Sequence, residues 1–376
     1  MAGIYIHIPF CRKRCHYCDF FKSTDFSQKA RLLAGLKKEL ESRASEMASD
    51  KINTIYLGGG TPSVLLIDEL KDLINTIHQN YQVSPEAEVT MEANPDDLSQ
   101  AKLSAIRQIG FNRLSMGIQS FIESDLKLMN RRHGVMQAIQ SVKWAKKAGF
   151  SNISIDLIYG LPNQNMEEWE QNVRIALELD VQHISAYNLT YHEGTVFYEQ
   201  LKKGILNELP DELSLQQFEL LIRILKEAGF EHYEISNFCK PGLYSQHNSS
   251  YWKSRKYLGI GPSAHSYDLQ SRSWNVSSIS EYLHGLESNE PYSETEILTE
   301  QDRYNDYIIT GIRTIWCVSE DFVQSEFSSK YFAHFQKSME KYLQSGHLTC
   351  TSGKVSLSTE GLFISDQITT DFMVVE

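Results

Sequence analysis

Residues 3–20 read GIYIHIPFCRKRCHYCDF, and this stretch decides the fold. Gly3–Ile8 is β-rich and runs directly into a loop that carries three cysteines, spaced Cys11-x3-Cys15-x2-Cys18. Thiolates are soft ligands, suited to iron–sulfur clusters or to zinc. Three of them within eight residues can grip three corners of one [4Fe–4S] cubane. The fourth iron then lacks a cysteine and is open to a small molecule, such as the amino and carboxylate groups of S-adenosylmethionine (SAM). The alternative is a structural zinc with His16 as fourth ligand. Against it, no second Cys/His pair stands at zinc-ribbon spacing, and His16 lies between two of the cysteines. Cys239, Cys317 and Cys350 are scattered and read as small buried hydrophobes.

Outward from this loop, short β-rich runs alternate with helical stretches. Thr54–Leu57, Glu88–Glu92, Arg113–Met116, Ile153–Leu157 and His183–Asn188 are the next candidate strands. Gln28–Met47, Ile67–Asn80, Val135–Ala148 and Glu167–Leu179 are amphipathic; in the third, Val135, Ala138, Ile139, Val142 and Ala145 recur at helical spacing. Such alternation predicts an α/β fold with a parallel sheet and right-handed crossovers. Six units by about residue 230 predict an open, partial (β/α)6 TIM-like barrel rather than a closed eight-unit one. Polar residues gather where that fold puts its chemistry: Gly58-Gly59-Gly60-Thr61, Glu92, Gly117 to Gln119, Asp156 and Asn188 stand at or near the ends of successive strands. After about residue 240 the pattern changes. From Glu300 onward, helices precede Gly346-His-Leu-Thr and Gly353–Ser358, predicting a smaller winged-helix-like α+β domain. The expected division is 1–235 for the barrel, 236–295 for a connecting region at the pocket, and 296–376 for the C-terminal domain.

Composition sets limits. The 376 residues are 41% hydrophobic, enough for a sizeable core. With 48 Asp and Glu against 36 Lys and Arg, the net charge of −12 repels a phosphate backbone, so no nucleic-acid partner is expected. The first residues do not read as a secretory signal, and no run of about 18 apolar residues occurs. A cytoplasmic location with reduced cysteines is therefore expected.

The cysteine loop after a first strand, with Tyr17 before the third cysteine, resembles the radical-SAM superfamily, and Gly58-Gly59-Gly60-Thr61-Pro62 resembles its glycine-rich element after strand two. Taken in order, YIHIPFC (Tyr5–Cys11), YLGGGTPS (Tyr56–Ser63), EANPDDL (Glu92–Leu98), RLSMGIQSF (Arg113–Phe121), RRH (Arg131–His133), IDLIYGLPNQ (Ile155–Gln164) and LSTEGLFISD (Leu357–Asp366) are similar to the HemN/HemW family. That family comprises oxygen-independent coproporphyrinogen III oxidases and their relatives. The resemblance implies a [4Fe–4S] cluster on Cys11, Cys15 and Cys18. It also implies SAM contacts from Tyr5, Gly59, Gly60, Thr61, Glu92, Gln119, Arg131 and Asp156. Carboxylates would accept from the ribose hydroxyls or the amino group, and an arginine would pair with the SAM carboxylate.

Two branches share this core. The oxidase branch continues the loop as CxxCxC and has a longer extension before its first cysteine. Here Phe20 occupies the position of the extra cysteine, and ten residues precede Cys11. The segment His247-Asn248-Ser-Ser-Tyr251-Trp252 is similar to the HNxxYW motif of HemW-type heme chaperones. The resemblance therefore implies heme binding by His247, Asn248, Tyr251 and Trp252, with imidazole as an axial ligand and the aromatics on the porphyrin. Without the motif, these residues read as a turn-capping histidine and ordinary core aromatics. Gly259-Ile-Gly261-Pro-Ser-Ala-His265 adds a Gly-rich approach, with His265 open between SAM and heme. The expected function is a heme chaperone that passes heme to an acceptor hemoprotein, as a monomer or a cluster-dependent homodimer, with no catalytic residue assigned. No anchor is visible, so any membrane contact would be peripheral. The alternative is radical oxidative decarboxylation of coproporphyrinogen III to protoporphyrinogen IX. An RNA-modifying radical-SAM enzyme is disfavoured by the charge.

Overall fold

A computed structural model describes residues 2–375. The strands are β1 (Ala2–Ile8), β2 (Ile52–Gly59), β3 (Val83–Ala93), β4 (Arg113–Gln119), β5 (Ile153–Tyr159), β6 (His183–Asn188), β7 (Glu231–Glu234), β8 (Asn237–Cys239), β9 (Tyr257–Ile260), β10 (His265–Tyr267), β11 (Ser271–Asn275), β12 (Ser293–Ile297), β13 (Val318–Ser319), β14 (Leu348–Thr351) and β15 (Lys354–Leu357). The first six are parallel neighbours in chain order, as the alternating pattern predicts. They form the centre of one twelve-stranded sheet ordered β12-β11-β10-β9-β1-β2-β3-β4-β5-β6-β8-β7.

The sheet extends past the six predicted units at both edges. β9 pairs parallel to β1, with Tyr5 opposite Gly259, and so makes a seventh parallel strand. β8 pairs antiparallel to β6. Cys239 to Trp274, which reads in the sequence as a loop region, holds β9, β10, most of β11 and the helix Gln246–Trp252, and the helix Ile279–Ser288 and β12 follow. β9 is four residues long and β10 three, too short for their alternation to stand out.

The strand pattern explains the two faces. Ile4, Ile6 and Ile8 of β1, Ile55 and Leu57 of β2, Met91 of β3 and Leu114 and Met116 of β4 are fully buried in one core with helices such as Lys29–Ser42 and Ile67–Asn80. Alternate residues point the other way. Tyr5, Tyr56, Glu92, Arg113, Ser115, Asp156 and Ser185 face a lumen that is polar rather than packed with aliphatic side chains. The helix Gln246–Trp252 links the β8 edge to the β9 edge and contacts β1 and β2, crossing the opening left by the incomplete barrel.

The C-terminal helices Glu300–Ile312, Glu320–Glu326 and Ser329–Gln344 pack with a separate antiparallel sheet, β13-β15-β14. Tyr304, Ile308, Val323, Phe335, Leu348, Val355 and Phe372 form a core of their own. Ser352 and Gly353, both at positive φ, make the two-residue turn of the β14–β15 wing. No helix among the described residues is long and apolar enough to cross a membrane.

Candidate active site: a cluster and cofactor cavity

The carboxyl ends of β1 to β6 open onto a cavity of about 380 Å³. Cys11, Cys15, Cys18, Gly59, Gly60, Thr61, Glu92, Gln119, Arg131, Asp156 and Asn248 all line it. Residues separated by up to 237 positions in the chain are thereby brought to one space, where a parallel sheet presents its loops. Tyr5 lies one layer deeper. Its ring stacks on Tyr56 and its hydroxyl meets His7 Nδ1 at 3.1 Å.

A continuous polar path joins two of the cysteines. Cys11 Sγ is 3.2 Å from Thr61 Oγ1, and Asn94 Nδ2 donates to that oxygen at 3.3 Å. Asn94 Oδ1 accepts from Arg131 Nη2 at 2.7 Å, and Arg131 Nη1 points at Cys15 Sγ at 3.3 Å. Arg131 also donates to Gly117 O at 2.6 Å. Burial raises the Cys11 thiol to about 11, with the Thr61 contact and Lys22 opposing the rise and Cys18 and Cys15 adding to it. Lys22 Nζ donates to Cys18 O, closing the loop behind the third cysteine.

The glycine-rich turn is fitted to the cysteine loop. Gly60 N donates to Ile8 O at 2.8 Å. A Cβ on Gly60 would lie 2.7 Å from Ile8 O and from Pro9 C, both backbone atoms. Gly59 has φ +102°, and a Cβ there would meet the His7 ring at 2.5 Å. Gly59 N and Tyr56 Oη donate to the two oxygens of Glu92 at 3.1 and 2.8 Å. Burial pushes the Glu92 carboxyl up to about 7 against the Tyr56 hydrogen bond, with Asp156 contributing to the rise. Burial likewise raises Asp156 to about 6, against hydrogen bonds from Ser185 and Ser115. At the end of β4 the register shifts between Gly117 and Gln119, and Gln119 adopts φ +71°. This bulge re-aims Gln119 at the cavity rim.

The donor set fits a cluster and a polar cofactor. Among the described residues no three His, Cys, Asp or Glu groups converge on a point suited to one metal ion. His16 Nδ1 meets Leu128 O at 2.9 Å, and His16 is not among the residues that line the cavity with the three cysteines, which speaks against the zinc alternative. Arg131 Nε and Arg113 Nε are buried without a hydrogen-bond partner, and both residues line the cavity. An unsatisfied buried donor is costly, and a bound anionic group relieves it.

His247, Tyr251 and Trp252 do not line this cavity; Asn248 alone of the four does. His247 is 1% exposed, with Nδ1 2.8 Å from Thr54 Oγ1 and Nε2 2.8 Å from the Tyr251 hydroxyl. Its ring stacks on Tyr56 at 5.0 Å and on Tyr5 at 6.3 Å. Burial, then the nearby Arg113, lowers its pKa to about 3, so the imidazole is neutral. Both ring nitrogens are engaged, and an iron ligand role requires Thr54 or Tyr251 to let go. Tyr251 stands edge-on to His247 and Tyr257, and Trp252 is half-buried at the helix end. His265 lies tilted against Trp274 on the β10–β11 hairpin, and Cys239 is buried in β8, each away from the cavity lining; Cys317 is only half-buried and Cys350 is exposed on β14, against the expectation of buried hydrophobes.

Several contributors escaped sequence reading. Arg113 and Ser115 of β4 and Ser185 and Tyr187 of β6 line the cavity, and Asn94, just after β3, carries the cysteine-to-cysteine path. Their signal was the period-two alternation of polar with aliphatic residues inside strands already recognised.

Comparison with known proteins agrees with this geometry. The family model described as Radical SAM superfamily matches residues 5–176. The chain is 34% identical over 371 residues to the heme chaperone HemW of Bacillus subtilis (strain 168), covering 98% of each chain. It is 35% identical to the heme chaperone HemW of Lactococcus lactis, over 89% of this chain and 86% of that one. The solved structure of the coproporphyrinogen III oxidase HemN from Escherichia coli superposes with a TM-score of 0.85 at 24% identity, covering 99% of this chain and 89% of that one, a likeness of fold. With the cysteine loop, the glycine turn and the lumen carboxylates all meeting in one cavity, the chain belongs to the HemW family within the radical SAM superfamily.

Proposed function

We propose that this protein binds heme and delivers it to an acceptor hemoprotein, using a [4Fe–4S] cluster on Cys11, Cys15 and Cys18 and a SAM molecule in the cavity beside them. The observation that carries the cofactor half is the convergence of three thiols, a glycine turn and two half-buried carboxylates on one space. Family membership implies both cofactors. The heme half rests on the relatives named heme chaperone and on Phe20, a side chain that is no ligand, at the position where the oxidase branch has a further cysteine.

In this reading the backbone of Gly59, Gly60 and Thr61 frames the methionine end of SAM. Arg131 pairs with its carboxylate, Glu92 and Asp156 accept from its amino and ribose hydroxyl groups, and Gln119 closes the rim. Tyr5 supports them from below through its ring contact with Tyr56. When bound, the cluster supplies an electron that can cleave the sulfonium. Reduced thiols of this kind suit a cytoplasmic setting. Heme engages the His247–Trp252 segment, with His247 exchanging its Tyr251 or Thr54 hydrogen bond for iron.

The test is hemin titration of anaerobically reconstituted protein and of His247→Ala. A Soret shift in the parent, weakened in the variant, is expected. No shift in the parent overturns the heme reading, and anaerobic conversion of coproporphyrinogen III to protoporphyrinogen IX replaces it with the oxidase one.

A further inference from the structure

A second cavity, of about 280 Å³, opens at the opposite, amino-terminal end of the strands. Its walls come from Ala2 and the β2 residues Asn53 and Thr54 on one side. The other side is Gly242 and Tyr244 of the β8 loop, and Gln246, Ser249, Ser250, Lys253 and Arg255 of the crossing helix and its exit. The helix thus separates the two cavities, with Asn248 facing the cluster and Ser249 facing this groove.

The charge here runs against the rest of the molecule. Of a chain with net charge −12, two cations and no carboxylate line the groove. Neither Lys253 nor Arg255 forms an ion pair among the described residues. The Lys253 ammonium instead sits 4.0 Å over the Trp316 ring. Partial burial and the neighbouring Arg255 both lower the Lys253 pKa, the behaviour of two like charges without a counterion. Ser249 is 4% exposed, and its buried hydroxyl has no hydrogen-bond partner. Leu243, between two groove residues, is an exposed apolar side chain, and Ile315 beside Trp316 is another. Apolar surface, two unneutralised cations and a spare hydroxyl together suit an amphiphilic anion.

We propose that this groove is a carboxylate-anchoring site in which Lys253 and Arg255 hold the propionates of a porphyrin whose face lies against the crossing helix. The volume suits one edge of a macrocycle, the edge that bears the carboxylates. Thr54 lines the groove and holds His247 Nδ1, so a ligand that draws on Thr54 frees that nitrogen. The proposal depends on the heme reading above only for the identity of the anion.

The experiment compares hemin with hemin dimethyl ester on the reconstituted full chain, and repeats both on Lys253→Gln/Arg255→Gln. Exposed charge pairs are worth up to about fivefold each, so the parent is expected to prefer hemin over the ester by roughly twentyfold. The double variant is expected to lose that preference while keeping its affinity for the ester. Ser249→Ala should weaken hemin severalfold. Equal binding of hemin and ester by the parent, or a preference that survives in the double variant, overturns the site. If the parent binds neither, the heme reading falls on its own. The groove is then judged with 8-anilinonaphthalene-1-sulfonate: fluorescence lost in the double variant supports an anion site, and unchanged fluorescence removes it.

Discussion

Removing Asn94 is expected to loosen the cysteine loop without touching a cysteine. Its amide bridges Thr61 Oγ1, 3.2 Å from Cys11 Sγ, to Arg131 Nη2, whose other terminal nitrogen is 3.3 Å from Cys15 Sγ. In Asn94→Ala the neutral 3.3 Å bond is lost at about 1 kcal/mol, and the charge-assisted 2.7 Å bond at about 1.5–3 kcal/mol. Gly117 O still accepts from Arg131 Nη2, which returns part of that. A net loss of about 2 kcal/mol follows. For a barrel of roughly 300 residues with an unfolding entropy of about 0.6 kcal/mol per kelvin, that lowers Tm by about 3 °C. The assay is paired: thermal unfolding of the cluster-free chain, and iron and sulfide per chain after anaerobic reconstitution. Thr61→Val breaks the next link of the same path. If the path acts as a unit, the double variant costs about 1 kcal/mol less than the sum of the two singles. Strict additivity, with full iron content in both singles, would refute the linkage.

Three further outcomes are expected. Gly60→Ala drives a Cβ to 2.7 Å from the backbone at Ile8 and Pro9, so it should cost about 1–3 kcal/mol and lower iron content; the assay is again iron stoichiometry, with Gly110→Ala as the comparison, where φ +118° strains an alanine but its Cβ meets nothing, so stability should fall with iron content unchanged. His247 titrates near 3 when folded and near its ordinary 6.5 when unfolded, so below about pH 6.5 the unfolded chain binds a proton that the folded one refuses. Stability therefore falls with falling pH between about 6.5 and 3. In His247→Gln the slope of unfolding free energy against pH should be shallower by up to about 1.4 kcal/mol per unit in denaturant titrations, and an unchanged slope would show that His247 is not a buried neutral imidazole. Glu92, raised to about 7, is half protonated near neutrality, and cationic SAM favours its ionised form. SAM affinity should rise from about pH 6 to 8 with proton release on binding, measured calorimetrically in buffers of different ionisation enthalpy, and Glu92→Gln should flatten the rise.

Much of this was written locally. Predicted and observed boundaries for the strand His183–Asn188 and the helix Ile67–Asn80 coincide; the helix carries a long apolar period, and the short strand alternates Ile184 and Ala186 with polar residues. The cysteines and the glycine turn were legible because their chemistry is tied to spacing. β9 was not, since a four-residue strand is recognised only by its partner, here β1. The helix Asp211–Glu227 went unmarked in the sequence even though Phe218, Leu221 and Leu225 are buried at helical spacing. The placement of His247 was hidden for a further reason: a motif names residue types, but only the fold shows Thr54 and Tyr251 holding both nitrogens.

The lumen has a consequence for the life of the chain in a cell. Two carboxyls, two arginine nitrogens without a hydrogen-bond partner and several hydroxyls sit where most barrels store aliphatic bulk. A ligand that pairs with these groups binds the folded chain and not the unfolded one, so filling the lumen adds to the stability of the fold by mass action. Scarcity of iron or sulfide would then be felt first as faster turnover by proteases, with abundance tracking cofactor supply before any change in synthesis.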